Sequence, residues 1–286
     1  MTTEQNRRHC PIGVFDSGLG GLRVLDRLME TLPDERFVYL GDTFHMPYGE
    51  KQPAQVADYV GACLDWLFRH HQIKMMVIAC NTAASVAAHV FERYLDTPFL
   101  DPVTPICRWL HAENRYQRVG VMGTPATIAS NRYESLLKQL HAPIELAQIG
   151  CNNLATIIEE GRGETQECQD MLRQYVRPLL DQQVQAIILG CTHYPYVMHR
   201  VIELVPETVE VLDPAVFMAL EAKRTLHRHN LAFPHKTGRQ IAEVDYFVTH
   251  EPDRFYETSL RMPFQALAMK KPVTVPIHEA QPLSGS

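Results

Sequence analysis

The sequence predicts an α/β protein: two similar α/β domains whose mostly parallel sheets face each other across an active-site cleft. Three observations predict it. Apolar runs of about six residues alternate with amphipathic stretches of helical period, the pattern of parallel βαβ units. Those runs end repeatedly in Gly, Asp, Cys or Thr, at the strand ends where open parallel sheets bind ligands. Two endings, "VIACNTA" at 77–83 and "IILGCTH" at 187–193, repeat one motif about one small domain's length apart.

Taken in order, "IGVFDSG" (12–18) reads as a strand entering a glycine-rich turn, and "LRVLDRLMETL" (22–32) as the next helix. "RFVYLGD" (36–42) is a strand, and "PAQVADYVGACLDWLFRHH" (53–71) is a helix with a proline near its start, where proline is tolerated. "MMVIAC" (75–80) and "RVGVMGT" (118–124) are strands, and "PATIASNRYESLLKQL" (125–140) reads as one helix. "IELAQIGC" (144–151), "AIILGC" (186–191) and "VEVLD" (209–213) continue the strand series. The tail 269–286, with three prolines and a Ser-Gly-Ser end, is expected to be mobile.

The 286 residues are 45% apolar and 21% charged, with a formal charge of -6, as in an ordinary soluble globular protein. No basic stripe supports nucleic-acid binding. No apolar leader opens the chain and no uncharged run is long enough to cross a membrane, so a cytoplasmic protein is expected. The cysteines Cys10, Cys63, Cys80, Cys107, Cys151, Cys168 and Cys191 contain no C-x-x-C pair, which removes the usual zinc-ribbon and thioredoxin signatures. Buried structural thiols are the default for Cys63, Cys107 and Cys168.

"DSGLGG" (16–21) invites a phosphate-loop reading, but Asp16 at the strand end would repel a phosphate. Asp16 and Ser17 suit an ammonium group or a proton relay better, with an Asp helix cap as the plainer alternative. A thiol between a strand end and a helix start can be activated, and Thr82 and Thr192 can offer hydroxyls or amides to a carboxylate. His193, two residues beyond Cys191, can orient that thiol or hold its proton. A zinc site would want more ligands than His193 and two thiols. A cysteine hydrolase would leave one thiol idle. An acid/base pair on opposite faces of one carbon uses both thiols, and racemisation needs that arrangement.

Together "FDSGLGGLRVL", "GDTFHMPYGEK", "VIACNTA", "VGVMGTPATIASNRY" and "LGCTHYP" resemble the cofactor-independent glutamate racemases of the aspartate/glutamate racemase superfamily. The resemblance runs from about residue 12 to 260, and "YFVTHEPDRF" (246–255) looks like that family's C-terminal segment. It implies a discontinuous first domain over 1–98 and 211–286, and a second over 99–210. It also implies no cofactor and no metal, L- and D-glutamate as substrate, a homodimer, and a role in supplying D-glutamate for peptidoglycan. Cys80 matches the thiol acting on D-glutamate and Cys191 the one acting on L-glutamate. Asp16 and Ser17 match the pair beside the first thiol, and His193 the support of the second. Pro47, Tyr48 and Gly49 match a substrate loop, and Asn81, Thr82, Thr124, Thr127 and Thr192 match substrate-contacting groups. Glu159 matches a glutamate assisting the second half, with Glu160 as the alternative.

Three departures from the family pattern concern the hinge and the loop: Cys151-Asn152 in place of Cys-Pro, "DPVTPI" (101–106) at the crossover, and the bulky "FHM" (44–46). Other readings are an aspartate or hydantoin racemase, and an inactive racemase fold that regulates a partner such as DNA gyrase.

Overall fold

The computed structural model describes residues 6–94, 96–234 and 242–277. The first part of the chain forms β1 (Ile12–Asp16), α1 (Leu22–Thr31), β2 (Arg36–Gly41), α2 (Pro53–His70), β3 (Met75–Ile78), α3 (Asn81–Val86), α4 (Ala88–Phe91) and β4 (Phe99–Leu100). The second part forms α5 (Val103–Glu113), β5 (Arg118–Gly123), α6 (Pro125–Ala129), α7 (Arg132–Gln139), β6 (Glu145–Gly150), α8 (Leu154–Glu159), α9 (Gln166–Asp181), β7 (Ala186–Gly190), α10 (Met198–Ile202) and β8 (Glu210–Leu212). The chain then returns through α11 (Pro214–Arg228) to β9 (Glu243–Val248), α12 (Pro252–Ser259) and β10 (Val273–Thr274).

Two all-parallel sheets result, in the orders β10-β9-β2-β1-β3-β4 and β6-β5-β7-β8. Both faces of each sheet are covered, which explains the continuous apolar strands. Val14, Tyr39 and Val77 pack on one face of the first sheet with Leu25 and Met218, while Phe15, Val38 and Ile78 pack on the other with Leu64. In the second sheet Ile187 and Leu189 meet Leu172 and Val176, and Ile188 turns the opposite way towards Cys107 and Leu137. This period-two division fixes which way each strand end points, and so fixes the site.

Three expectations need correction. The stretch 125–140 is two helices, because Asn131 adopts a left-handed φ of 53° between α6 and α7. Short polar Asn tolerates that conformation better than most residues. The passages between sheets come about two residues later than 98/99 and 210/211: Phe99 pairs with Met76 in the first sheet, and Val211 with Ile187 in the second. Strands of two or three residues carry no readable period. Residues 269–277 are not a free tail, since β10 pairs with β9 and the Val275 amide donates to the Val248 carbonyl at 2.9 Å. Val275 and Ile277 are buried against the second face of that sheet. The rest of the expected tail, 278–286, lies outside the described residues. Beyond these, β9 was legible only as part of a C-terminal segment and not as a strand beside β2.

Candidate active site

The strand ends meet between the sheets. Asp16 ends β1, Cys80 follows β3, Thr124 follows β5 and Cys191 follows β7, all at carboxyl ends. They surround a cavity of about 50 Å³, room for a few waters. Cys80, Asn81 and Thr82 line it from the first sheet, and Cys191, Thr192 and His193 from the second.

Cys80 caps the start of α3, its sulfur accepting the Ala83 amide at 3.5 Å. Ser17 Oγ stands 3.6 Å from the same sulfur. Burial pushes the Cys80 thiol up to about 12, with the Asp16 charge adding to the effect and the Ala83 amide opposing it. Asp16 is buried too, which raises its carboxyl to about 6 against the pull of His193 and the Gly18 amide. Its side chain accepts the Gly18 amide at 3.1 Å and the Thr192 hydroxyl at 3.3 Å. Ser17, not Asp16, is therefore the immediate polar neighbour of the first thiol, while Asp16 bridges towards the second motif.

Around the second thiol, Cys191 Sγ lies 3.6 Å from His193 Nδ1, and His193 Nε2 is paired with Glu159 Oε2 in a short contact. Burial alone would lower the His193 pKa, but the Glu159 carboxylate and the Cys191 sulfur outweigh it and hold the ring well above its ordinary value. Glu159 also accepts the Leu19 amide of the opposite half at 3.3 Å. Glu160 points outward to Arg162 at 2.6 Å, so the first of the two glutamates is the one that reaches the site.

The threonines form a hydroxyl cluster across the cleft. Thr82 Oγ1 lies 2.9 Å from Thr124 and 3.3 Å from Thr127, and Thr124 and Thr127 are 2.9 Å apart. Thr82 and Thr124 line the cavity, and Thr127 is buried behind them. Asn81 is held across the cleft by Tyr133, whose hydroxyl donates to Oδ1 at 2.9 Å. Pro47, Tyr48 and Gly49 line one side, but the Tyr48 hydroxyl donates to Asp42 at 2.6 Å and is committed there.

Met46, Ala155 and Thr156 also line the cavity and escaped sequence reasoning. Ala155 and Thr156 stand four and three residues before Glu159 on α8, so helical spacing from that glutamate was the available signal. Of the departures, Asp101 stands one residue before the N-cap Pro102 of α5 and accepts the Val103 and Thr104 amides at 2.8 Å each. Asn152 gives its carbonyl to the Tyr175 hydroxyl at 2.8 Å, leaving buried Cys151 below the site. Among the described residues, no group of three His, Cys, Asp or Glu side chains could hold a metal ion, and no helix is long and apolar enough to cross a membrane.

Residues 12–222 match the Asp/Glu/Hydantoin racemase family. The chain is 35% identical over 233 residues to a glutamate racemase of Trichormus variabilis, covering 82% of this chain and 79% of that one. It is 34% identical over 262 residues to a glutamate racemase of Clostridium perfringens, covering 91% and 98%. The fold is similar to that of glutamate racemase from Francisella tularensis in complex with D-glutamate, with TM-score 0.85, 30% identity and 96% and 100% coverage. Isoform RacE1 from Bacillus anthracis gives TM-score 0.83 at 29% identity, covering 89% and 94%. With its motifs at the strand ends of two facing parallel sheets, the chain belongs to the Asp/Glu/Hydantoin racemase family, among its glutamate racemases.

Proposed function

We propose that this protein interconverts L-glutamate and D-glutamate with two thiols and no cofactor, in the cytoplasm, as a homodimer that supplies D-glutamate for peptidoglycan. One observation carries the reading: Cys80 and Cys191, from different sheets, line one cavity, each with its own proton-handling neighbour.

In the L-to-D direction the Cys191 thiolate takes the α-proton and becomes a thiol. The Cys80 thiol gives its proton to the opposite face of the carbon and becomes a thiolate. Burial keeps Cys80 protonated before the reaction, as a donor must be. The His193 ring, held protonated between Glu159 and Cys191, is a counter-charge for the sulfur that must act as base. Reversal exchanges the two roles, with Ser17 and the Ala83 amide beside the thiol that must now lose its proton.

The α-proton is very weakly acidic, so negative charge developing on the substrate needs fixed donors. The Thr82, Thr124 and Thr127 hydroxyls satisfy one another in the closed cleft and can turn to a carboxylate without leaving a buried group unpaired. Closure of the two halves over bound glutamate would exclude water and strengthen these contacts.

The test is circular dichroism of the purified protein with L-glutamate, D-glutamate or L-aspartate, after exhaustive chelation and without pyridoxal phosphate. Racemisation of glutamate in both directions is expected. Faster turnover of aspartate would move the substrate to the sister family, and activity lost on chelation but restored by zinc would defeat the thiol-only chemistry.

A further inference from the structure

Asp42 follows β2, carries none of the assigned roles, and is fully buried beneath the loop that bears Pro47, Tyr48 and Gly49. Three side chains converge on its carboxylate. The Tyr48 hydroxyl donates to Oδ2 at 2.6 Å, and His45 Nδ1 lies 2.9 Å from the same oxygen. The third donor comes from elsewhere: the hydroxyl of Thr249, just after β9, reaches Oδ1 at 2.8 Å.

Thr249 is itself a junction. Its hydroxyl oxygen accepts the Phe44 amide at 2.9 Å, and next to it Thr43 Oγ1 donates to the His250 carbonyl at 2.6 Å while accepting the His250 amide at 2.9 Å. The loop 43–48 is thus stitched to the end of β9, beyond the 12–222 stretch that matches the family. The His45 ring stacks on Tyr59 of α2 with centroids 3.7 Å apart, closing the other side.

We infer that Asp42 and Thr249 are positioning residues for the substrate loop, so the returning C-terminal strand sets the wall of the cavity against which glutamate binds. The inference rests on the glutamate racemase reading for its substrate, and on the hydrogen bonds alone for its mechanics. A buried carboxylate accepting three side chains is costly to leave partly satisfied, so a loop that moves away from it loses several bonds together. Charge-assisted bonds of this kind hold geometry more firmly than neutral ones. Tyr48 therefore shapes the wall through its ring and backbone while its hydroxyl anchors the loop from behind.

The experiment compares Thr249→Val, which keeps the shape and removes the hydroxyl, with Thr249→Ser, which keeps the hydroxyl. Steady-state kinetics with L-glutamate should show KM raised about tenfold in Thr249→Val with kcat changed less than about threefold, and near-normal KM in Thr249→Ser. Combining Thr249→Val with Tyr48→Phe should raise KM by less than the product of the single effects, because both act through Asp42. Amide hydrogen exchange over 43–51, which needs no substrate, should be faster in Thr249→Val and normal in Thr249→Ser. Unchanged exchange and a KM within about twofold of wild type in Thr249→Val would overturn the assignment, even if its melting temperature fell. Wild-type protein that fails to racemise glutamate would instead defeat the functional reading, leaving the exchange result to decide the positioning role.

Discussion

Cys191 Sγ lies 3.6 Å from Nδ1 of His193, whose other ring nitrogen is held by Glu159. The sulfur, imidazole and carboxylate form a relay within the second half of the site. Cys80 has no such ring: its neighbours are Ser17 and the Ala83 amide. On the proposed two-thiol mechanism, the two faces of the substrate would meet chemically different thiols.

His193→Asn and Glu159→Gln should slow proton removal from L-glutamate more than removal from D-glutamate, by about 10² or more for the histidine. The equilibrium ratio must stay that of any catalyst, so the asymmetry appears in the primary isotope effects measured in each direction. Equal effects below about threefold would make both residues structural. Glu159→Gln also weakens the acceptor for Leu19 and so should loosen closure, raising KM as well.

Asp16 ties the site to stability. Its carboxyl is raised from 3.8 to about 6 by burial, so the folded state holds its proton more tightly than the unfolded chain does. The stabilisation this confers is fully present below pH 3.8 and is lost as pH rises through about 6, for a change of about 3 kcal/mol from this group. Asp16→Asn removes the titration and should gain stability relative to wild type between pH 4 and 7.5, at the expense of turnover. Urea unfolding of both proteins at the two pH values measures this, and a difference independent of pH would show that Asp16 titrates normally.

The site was legible where chemistry sits on long strands. Asp16 ends, and Cys80 and Cys191 follow, buried runs of four or five residues whose carboxyl ends face the cleft. Thr124 and Thr127 were reached through the family resemblance, and what the sequence could not give was their partner: Thr82 meets them only because the sheets face each other. The two-residue strands β4 and β10 have no period to read, and their pairing depends on neighbours far away in sequence. Asn131 broke a helix whose apolar spacing continues through it, since one left-handed residue changes direction without changing composition. Thr249 was out of reach for the same reason as β9, because its role depends on lying beside β2.

Cys63→Ala and Cys107→Ala should leave the kinetics unchanged and reduce stability by about 1–2 kcal/mol, the transfer and cavity cost of a small buried side chain. Both thiols are fully buried, and burial, with Asp42 adding to it at Cys63 and Asp101 at Cys107, pushes both well up, so neither is a reactive nucleophile. Thermal unfolding together with racemisation at 25 °C separates the two effects. Lost activity in a well-folded variant would mean that a third thiol takes part.

The pairing of Cys80 with Cys191 makes the strongest claim. If they face opposite sides of one α-carbon, Cys80→Ala and Cys191→Ala should each abolish racemisation while retaining the fold and glutamate binding. Each variant keeps one base, so exchange with solvent from a single face should survive. In heavy water, Cys80→Ala retains the Cys191–His193–Glu159 relay and should exchange the α-proton of L-glutamate in preference to D-glutamate. Cys191→Ala retains Cys80 with Ser17 and should do the opposite, more slowly, because a thiol raised to about 12 is seldom ionised at neutral pH. Proton NMR of each enantiomer follows the exchange directly. Near-wild-type racemisation by either variant would defeat the two-thiol mechanism, and exchange of the same enantiomer by both would put the two sulfurs on one face.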